Sequence, residues 1–252
     1  MKIHELADNI IYMEDALPRA AEFIQQIEHN NTNPEINEVI PPWESWSDGY
    51  PVRVSETEWV QVIPDTDDAH RGDAKHIDWD LTVNGGNGFW PRRKISNDHT
   101  PAHSMAYEII SLIEDDYISA VSAWAEMTNN EMPEYVSRNY CIRRYRTGAA
   151  MGMHIDRNVD NPETTMDWTA LLYLNDDYGG GEIAFDNSDI SLKPSAGSIL
   201  FLPCLAAHEC KVITSGRKYY VFMFMHTKTK LNTSLGEPYE SLNRAIKEYN
   251  KK

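Results

Sequence analysis

Between residues 135 and 226 the chain breaks into eight short runs rich in β-branched and aromatic residues: YCIRRYR, MGMHID, WTALLYLN, GEIAF, ISLK, SILFL, HECKVI and KYYVFMFMH. Turn signals separate them, and each run has strand length rather than helix length. Eight such runs in succession predict a closed or two-sheet antiparallel barrel, a mainly β fold.

The flanks read differently. Residues 1–30 hold a short strand, NIIYM, and a helix, LPRAAEFIQQIEH, with Pro18 suited to its first turn. Residues 31–100 are an irregular segment crowded with Pro, Asp and Trp, carrying Trp43, Trp46, Trp59, Trp79 and Trp90. A segment of that length is either a substrate groove or lid, or a meander that its Trp rings anchor to the barrel. Residues 101–128 return to helical period, with Ile109, Leu112, Ile113, Tyr117 and Val121 on the face to be buried. A short helix is expected over 236–252. The whole of 1–252 is expected to be a single domain.

Net charge is −16, from 39 acidic against 23 basic residues. Phosphate repulsion then argues against a nucleic-acid partner, and a charged partner would be a cationic peptide or protein; solubility alone is the plainer use of the excess. The three cysteines, Cys141, Cys204 and Cys210, are an odd set without metal-site spacing and fit a reducing compartment. The opening MKIHELADNIIYMEDALPRA interrupts every apolar run with acids, unlike a signal peptide. No stretch approaches the roughly 20 apolar residues that span a bilayer. The expectation is a cytoplasmic protein with no membrane contact and an oligomeric state open.

Within GMHIDRN, His154 and Asp156 stand two apart on a strand-like run and so share one face. A third ligand should come from a later strand, and His208 in LAAHECKV is the histidine in a strand-like run at a suitable distance. Two imidazoles and a carboxylate on one face of an octahedron are a ligand set for non-haem Fe(II), leaving positions open for a chelating co-substrate and dioxygen. Ten residues after His208 stands Lys218, whose ammonium could pair with the far carboxylate of a dicarboxylate. Arg217 and Lys218 alternate in facing, so a register slip of one residue would exchange them. Cys204 and Cys210 flank His208 as buried small side chains, and His99 and His103, separated by Pro101, read as capping or exposed.

The run YRTGAAMGMHID, then TALLYLNDDYGGGEIAF, then LKPSAGSILFLPCLAAHECKVITSGRKYY resembles the Fe(II)- and 2-oxoglutarate-dependent dioxygenases, in particular their prolyl 4-hydroxylase-like group. The resemblance rests on Tyr145 and Gly148 ahead of His154 and Asp156, on Tyr173, Leu174 and Asn175 with Gly180, Gly181 and Glu182, on Pro194 and Gly197, and on His208 with Thr214, Ser215, Gly216 and Lys218. It implies a double-stranded β-helix, or jelly-roll, core braced by N-terminal helices. It implies Fe(II) on His154, Asp156 and His208, with 2-oxoglutarate and dioxygen as co-substrates and ascorbate as an accompanying reductant. The group's spacing favours Lys218 over Arg217, and makes Tyr145, Thr169 and Tyr173 candidates for contacts to 2-oxoglutarate. The implied reaction is hydroxylation of an unactivated C–H, peptidyl proline at C4 being the leading substrate and a peptide or protein the partner. Another protein side chain, a small molecule, or a barrel that binds metal without turnover are the alternatives. One position departs: Met151 stands where the group often has a second Tyr.

Overall fold

The computed structural model describes residues 1–29, 44–46, 50–53, 59–62, 72–78, 101–130, 135–136, 139–156, 167–186 and 188–226. In chain order its elements are β1 (Lys2–Ala7), β2 (Ile10–Glu14), α1 (Ala20–His29), β3 (Glu44–Trp46), β4 (Tyr50–Arg53), β5 (Trp59–Val62), β6 (Gly72–Asp78), α2 (Pro101–Thr128), β7 (Tyr135–Val136), β8 (Asn139–Arg146), β9 (Met151–His154), β10 (Trp168–Tyr173), β11 (Gly179–Gly180), β12 (Ile183–Phe185), β13 (Ser191–Leu192), β14 (Ser198–Pro203), β15 (His208–Cys210), β16 (Ile213–Ser215) and β17 (Arg217–His226). The architecture is mainly β. A large antiparallel sheet runs in the order β1-β2-β14-β10-β17-β8-β6-β3, with β7 also paired to β17. A small antiparallel sheet runs β13-β12-β15-β9, and β11-β16 and β4-β5 form two-stranded ribbons.

Two adjacent inner strands, WTALLY of β10 and SILFLP of β14, are buried along their whole length because both faces of the large sheet are covered. Period-2 alternation then sorts the side chains. Trp168, Ala170, Leu172, Ile199, Phe201, Val221 and Met223 pack with Phe23 and Ile27 of α1 and with Ile113, Tyr117, Val121 and Trp124 of α2. The Trp124 ring stands edge-on to Trp168 at 4.9 Å and stacks on Phe201 at 5.8 Å. The opposite face presents Leu171, Tyr173, Leu200, Leu202 and Tyr220 to Ile183 and Phe185 of the small sheet. Each large apolar side chain so covered contributes about 1.5–3 kcal/mol of transfer free energy. One core therefore seats the helices, and the other lies between the two sheets.

Two expectations change. The N-terminal segment holds two strands, not one: β1 pairs antiparallel with β2 across a turn in which Asn9 takes φ 65°. An asparagine tolerates that left-handed conformation, and the mixed polarity of KIHELA suits an edge strand and hides it from a pattern search. The segment 31–100, expected to be irregular, contributes β3, β4, β5 and β6, with β6 zipped onto β8 and β3 onto β6. Pairing to an available edge, more than local composition, decides strand formation there. The expected helix over 236–252 lies outside the described residues, as do Trp43, Trp79, Trp90 and His99. Among the described residues no helix is long and apolar enough to cross a membrane.

Candidate active site

Strands β9 and β15 lie side by side in the small sheet with His154 and His208 as direct cross-strand partners. Their rings face each other with centroids 4.4 Å apart, and both side chains are buried. Asp156 follows β9, its backbone N–H donating to the Cys204 carbonyl at 2.9 Å. Its carboxylate closes the third side: Oδ1 is 3.4 Å from His154 Nε2 and Oδ2 is 3.9 Å from His208 Nε2. Ligand atoms of the three residues all fall within 4.8 Å of one another.

The ring orientations test whether a cation fits. His154 Nδ1 lies 2.8 Å from the Gly152 carbonyl and His208 Nδ1 lies 2.8 Å from the Ala206 carbonyl. A carbonyl only accepts, so each Nδ1 carries its proton, and Nε2, the nitrogen facing Asp156, is the atom that offers a lone pair to a cation when the ring is neutral. Two imine lone pairs and a carboxylate converging on one point form an electron-rich concavity that a divalent cation relieves. Burial would push the Asp156 carboxyl up, but His208, His154 and a hydroxyl hydrogen bond outweigh it and bring it down to about 2. Burial pushes His208 down to about 4, against the pull of Asp156. Both shifts leave these ligands in the metal-ready form at neutral pH.

That hydroxyl is Thr169 on β10, whose Oγ1 donates to Asp156 Oδ2 at 2.5 Å across the gap between the sheets. The structure thus sets Thr169 against the carboxylate.

The second centre lies on the inner face of β17. Lys218 is 2% exposed, while Arg217 faces solvent, which settles the facing of the pair. Lys218 Nζ donates to the Gly181 carbonyl at 2.7 Å and approaches Cys210 Sγ at 3.3 Å. The rings of Tyr173, Tyr178 and Tyr220 surround it at 5.0, 5.7 and 5.8 Å. A buried ammonium given a carbonyl, a thiol and π-faces retains donor capacity for an anion. Tyr145 is its cross-strand partner on β8, and Tyr145 and Tyr173 are both buried in the same inter-sheet cluster. The Tyr178 hydroxyl is buried without a hydrogen-bond partner among the described residues.

The two centres share one chamber. Cys210 follows His208 by two residues on β15, which separates them by about 7 Å on one face; Cys210 touches Lys218, and His208 belongs to the ligand cluster. Cys210, Tyr178 and Tyr220 were not among the sequence candidates. The parity that joins Tyr220 to Lys218, and the two-residue step from His208 to Cys210, are the signals that mark them.

Residues 140–226 match the profile of the 2OG-Fe(II) oxygenase superfamily. A PKHD-type hydroxylase of Shewanella sp. (strain ANA-3) is 31% identical over 96 residues, covering 35% of this chain and 43% of that protein. A PKHD-type hydroxylase of Maricaulis maris (strain MCS10) is 28% identical over 115 residues, covering 44% and 52%. The chain thus spans about half, or less, of the length of these curated relatives. In fold, it is similar to a prolyl hydroxylase of Trichoplax adhaerens solved with a hypoxia inducible factor peptide fragment, at TM-score 0.54 and 14% identity over 90% of this chain and 89% of that one. A Pseudomonas putida prolyl-4-hydroxylase gives TM-score 0.51 at 14% identity over 88% and 94%.

Proposed function

We propose, for a chain whose residues 140–226 belong to the 2OG-Fe(II) oxygenase superfamily, that it hydroxylates an unactivated C–H bond of a peptide or protein, with prolyl C4 as the leading target. The observation that carries the reading is the pairing of two centres in one chamber: the His154, Asp156 and His208 cluster and the buried Lys218. Fe(II), 2-oxoglutarate and dioxygen would supply the hydroxylation chemistry, coupled to conversion of 2-oxoglutarate to succinate and carbon dioxide.

The protein's own part is placement. His154 and His208, held in one tautomer by backbone carbonyls, and the ionised Asp156 present three fixed ligand atoms. Lys218 binds the distal carboxylate of 2-oxoglutarate, whose five-carbon chain matches the short step from the metal ligands to the ammonium. Tyr145 and Tyr173 line the walls, and the apolar inter-sheet cluster excludes water. The same reading takes the two facing sheets as a double-stranded β-helix braced by α1 and α2, and residues 1–252 as one domain. The ribbon β4-β5 brings part of 31–100 to the site, since β4 lies against β9. That position suits a wall of the substrate groove. The peptide choice is supported by the prolyl hydroxylases that share the fold, one of them with a peptide bound.

The test is anaerobic. Fe(II) and then 2-oxoglutarate added to the protein should produce the visible charge-transfer band of a chelated 2-oxo acid, and His208→Ala should abolish it. Incubation in air with proline-containing peptides should then add 16 Da to a proline (the mass of one oxygen). A folded protein that binds Fe(II) yet never shows the band would refute the enzyme reading. Turnover confined to other side chains or small molecules would leave the enzyme and remove the proline.

A further inference from the structure

The inner faces of β8 and β17 carry a hydrogen-bonded line of side chains that the ligand set does not account for. Tyr220 donates its hydroxyl proton to the Tyr145 oxygen at 3.0 Å, and the two rings meet edge to face at 5.3 Å. Tyr145 in turn donates to Met151 Sδ at 3.5 Å. Met151 opens β9, the strand that ends at His154. The Tyr145 hydroxyl therefore bridges from the large sheet toward the strand bearing a metal ligand, while its Cα partner is Lys218. Behind the line stands Arg143, the cross-strand partner of Tyr220, with its guanidinium 5.3 Å over the Phe222 ring. A cation on that side favours a Tyr220 hydroxyl whose proton points away from it, toward Tyr145.

A phenol has one proton to give. Once Tyr220 occupies an acceptor position on the Tyr145 oxygen, Tyr145 is committed to donate elsewhere. A thioether is a weak acceptor, so a carboxylate or 2-oxo oxygen entering the chamber would outcompete Met151 for that proton. Without Tyr220, the Tyr145 hydroxyl could rotate or accept, and its donation to a ligand would no longer be fixed in advance.

We infer that Tyr220 is a positioning residue for 2-oxoglutarate: by donating to Tyr145 it holds the Tyr145 hydroxyl as a donor aimed at the bound co-substrate. The inference rests on the proposed 2-oxoglutarate pocket. It assigns Tyr220 no contact with the ligand; its effect passes through Tyr145.

The experiment is a double-mutant cycle read by calorimetric titration of 2-oxoglutarate into the Mn(II)-loaded protein, in which no turnover occurs. Tyr220→Phe should weaken 2-oxoglutarate about 3- to 10-fold, the range of one neutral hydrogen bond. Mn(II) affinity should stay at the wild-type value, and the melting temperature should fall only by the few degrees that one buried hydrogen bond is worth, leaving the variant folded in the titration. Tyr145→Phe should weaken it at least as much. The double variant should bind no more weakly than Tyr145→Phe alone, because Tyr220 then has nothing to position. Wild-type affinity in Tyr220→Phe, wild-type affinity in Tyr145→Phe, or losses that add in the double variant would each overturn the inference. If the wild-type protein takes up Mn(II) but binds no 2-oxoglutarate, the pocket reading itself falls and the inference with it, an outcome the cycle separates from the others.

Discussion

Lys218 and Thr169 reach the chamber from neighbouring strands of the large sheet and act on different partners. Lys218, sealed among tyrosine rings with its Nζ on the Gly181 carbonyl, is the group proposed to bind the co-substrate carboxylate. A hydrogen bond to a charged group contributes about 1.5–3 kcal/mol, so Lys218→Ala should weaken 2-oxoglutarate about 10- to 150-fold. The solvent-facing Arg217→Ala should leave the affinity near wild type. Titration of both variants decides it, and the opposite ranking would remove Lys218 from the pocket. Thr169 bonds Asp156 rather than open space. Partners behind a metal ligand typically matter about 10- to 100-fold in metal affinity, so Thr169→Val should weaken Mn(II) by that range and Thr169→Ser should restore it. Unchanged Mn(II) binding in Thr169→Val would show that the carboxylate needs no such support. The sequence exposed the candidate ligand residues because strand spacing predicts His154 and Asp156 on one face, although β9 ends at His154 and the Asp156 carboxylate turns in from beyond the strand end. It could not show which tautomer each histidine adopts, or that Thr169 meets Asp156 across the sheets, since both depend on contacts between segments far apart in the chain.

The turn between β11 and β12 is where one element shapes the pocket through its backbone. Gly181 takes φ 72°, and a Cβ there would collide with Ile213 Cδ1 and lie 2.9 Å from Tyr178 Cε2. Its carbonyl is the acceptor for Lys218. Gly181→Ala should therefore destabilise the protein by about 1–2 kcal/mol from the left-handed backbone alone, with the collision adding to it. It should also weaken 2-oxoglutarate while leaving Mn(II) affinity close to wild type. A melting curve and two titrations check this; wild-type values throughout would mean that the turn is not held by packing. Elements with their own period were readable beforehand. The five residues expected on the buried face of α2, Ile109, Leu112, Ile113, Tyr117 and Val121, are all buried. The strands β1, β3 and β6 were not readable, because strands at the ends of the sheet, and β6 next to its end, are specified by the neighbour they pair with more than by their own residues.

At the scale of the whole molecule, the buried ligand cluster couples stability to pH. In the metal-free protein His208 titrates at about 4, well below its ordinary 6.5, because burial disfavours its charged form. Between those values the unfolded chain binds a proton that the folded chain refuses, so acidification from about pH 6.5 to about pH 4 favours unfolding. Asp156, held at about 2 against an ordinary 3.8, has the same sign over a lower window: its stabilisation is present above 3.8 and is lost as pH falls toward 2. For His208 the loss across its window amounts to about 3 kcal/mol at most. The melting temperature of the metal-free protein should therefore fall steadily between pH 6.5 and pH 4, and His208→Gln, which has no proton to gain, should lose part of that slope. Mn(II) should raise the melting temperature at pH 7, by about 2.7 kcal/mol of stability at a hundred times its dissociation constant. Protons compete with the metal for the same lone pairs, so the two curves should converge as pH approaches 4. Curves for metal-free wild type and His208→Gln that stay parallel down to pH 4 would show that His208 is not the group that couples acid to unfolding. Curves with and without Mn(II) that never separate at pH 7 would show that the three converging ligands do not hold the metal.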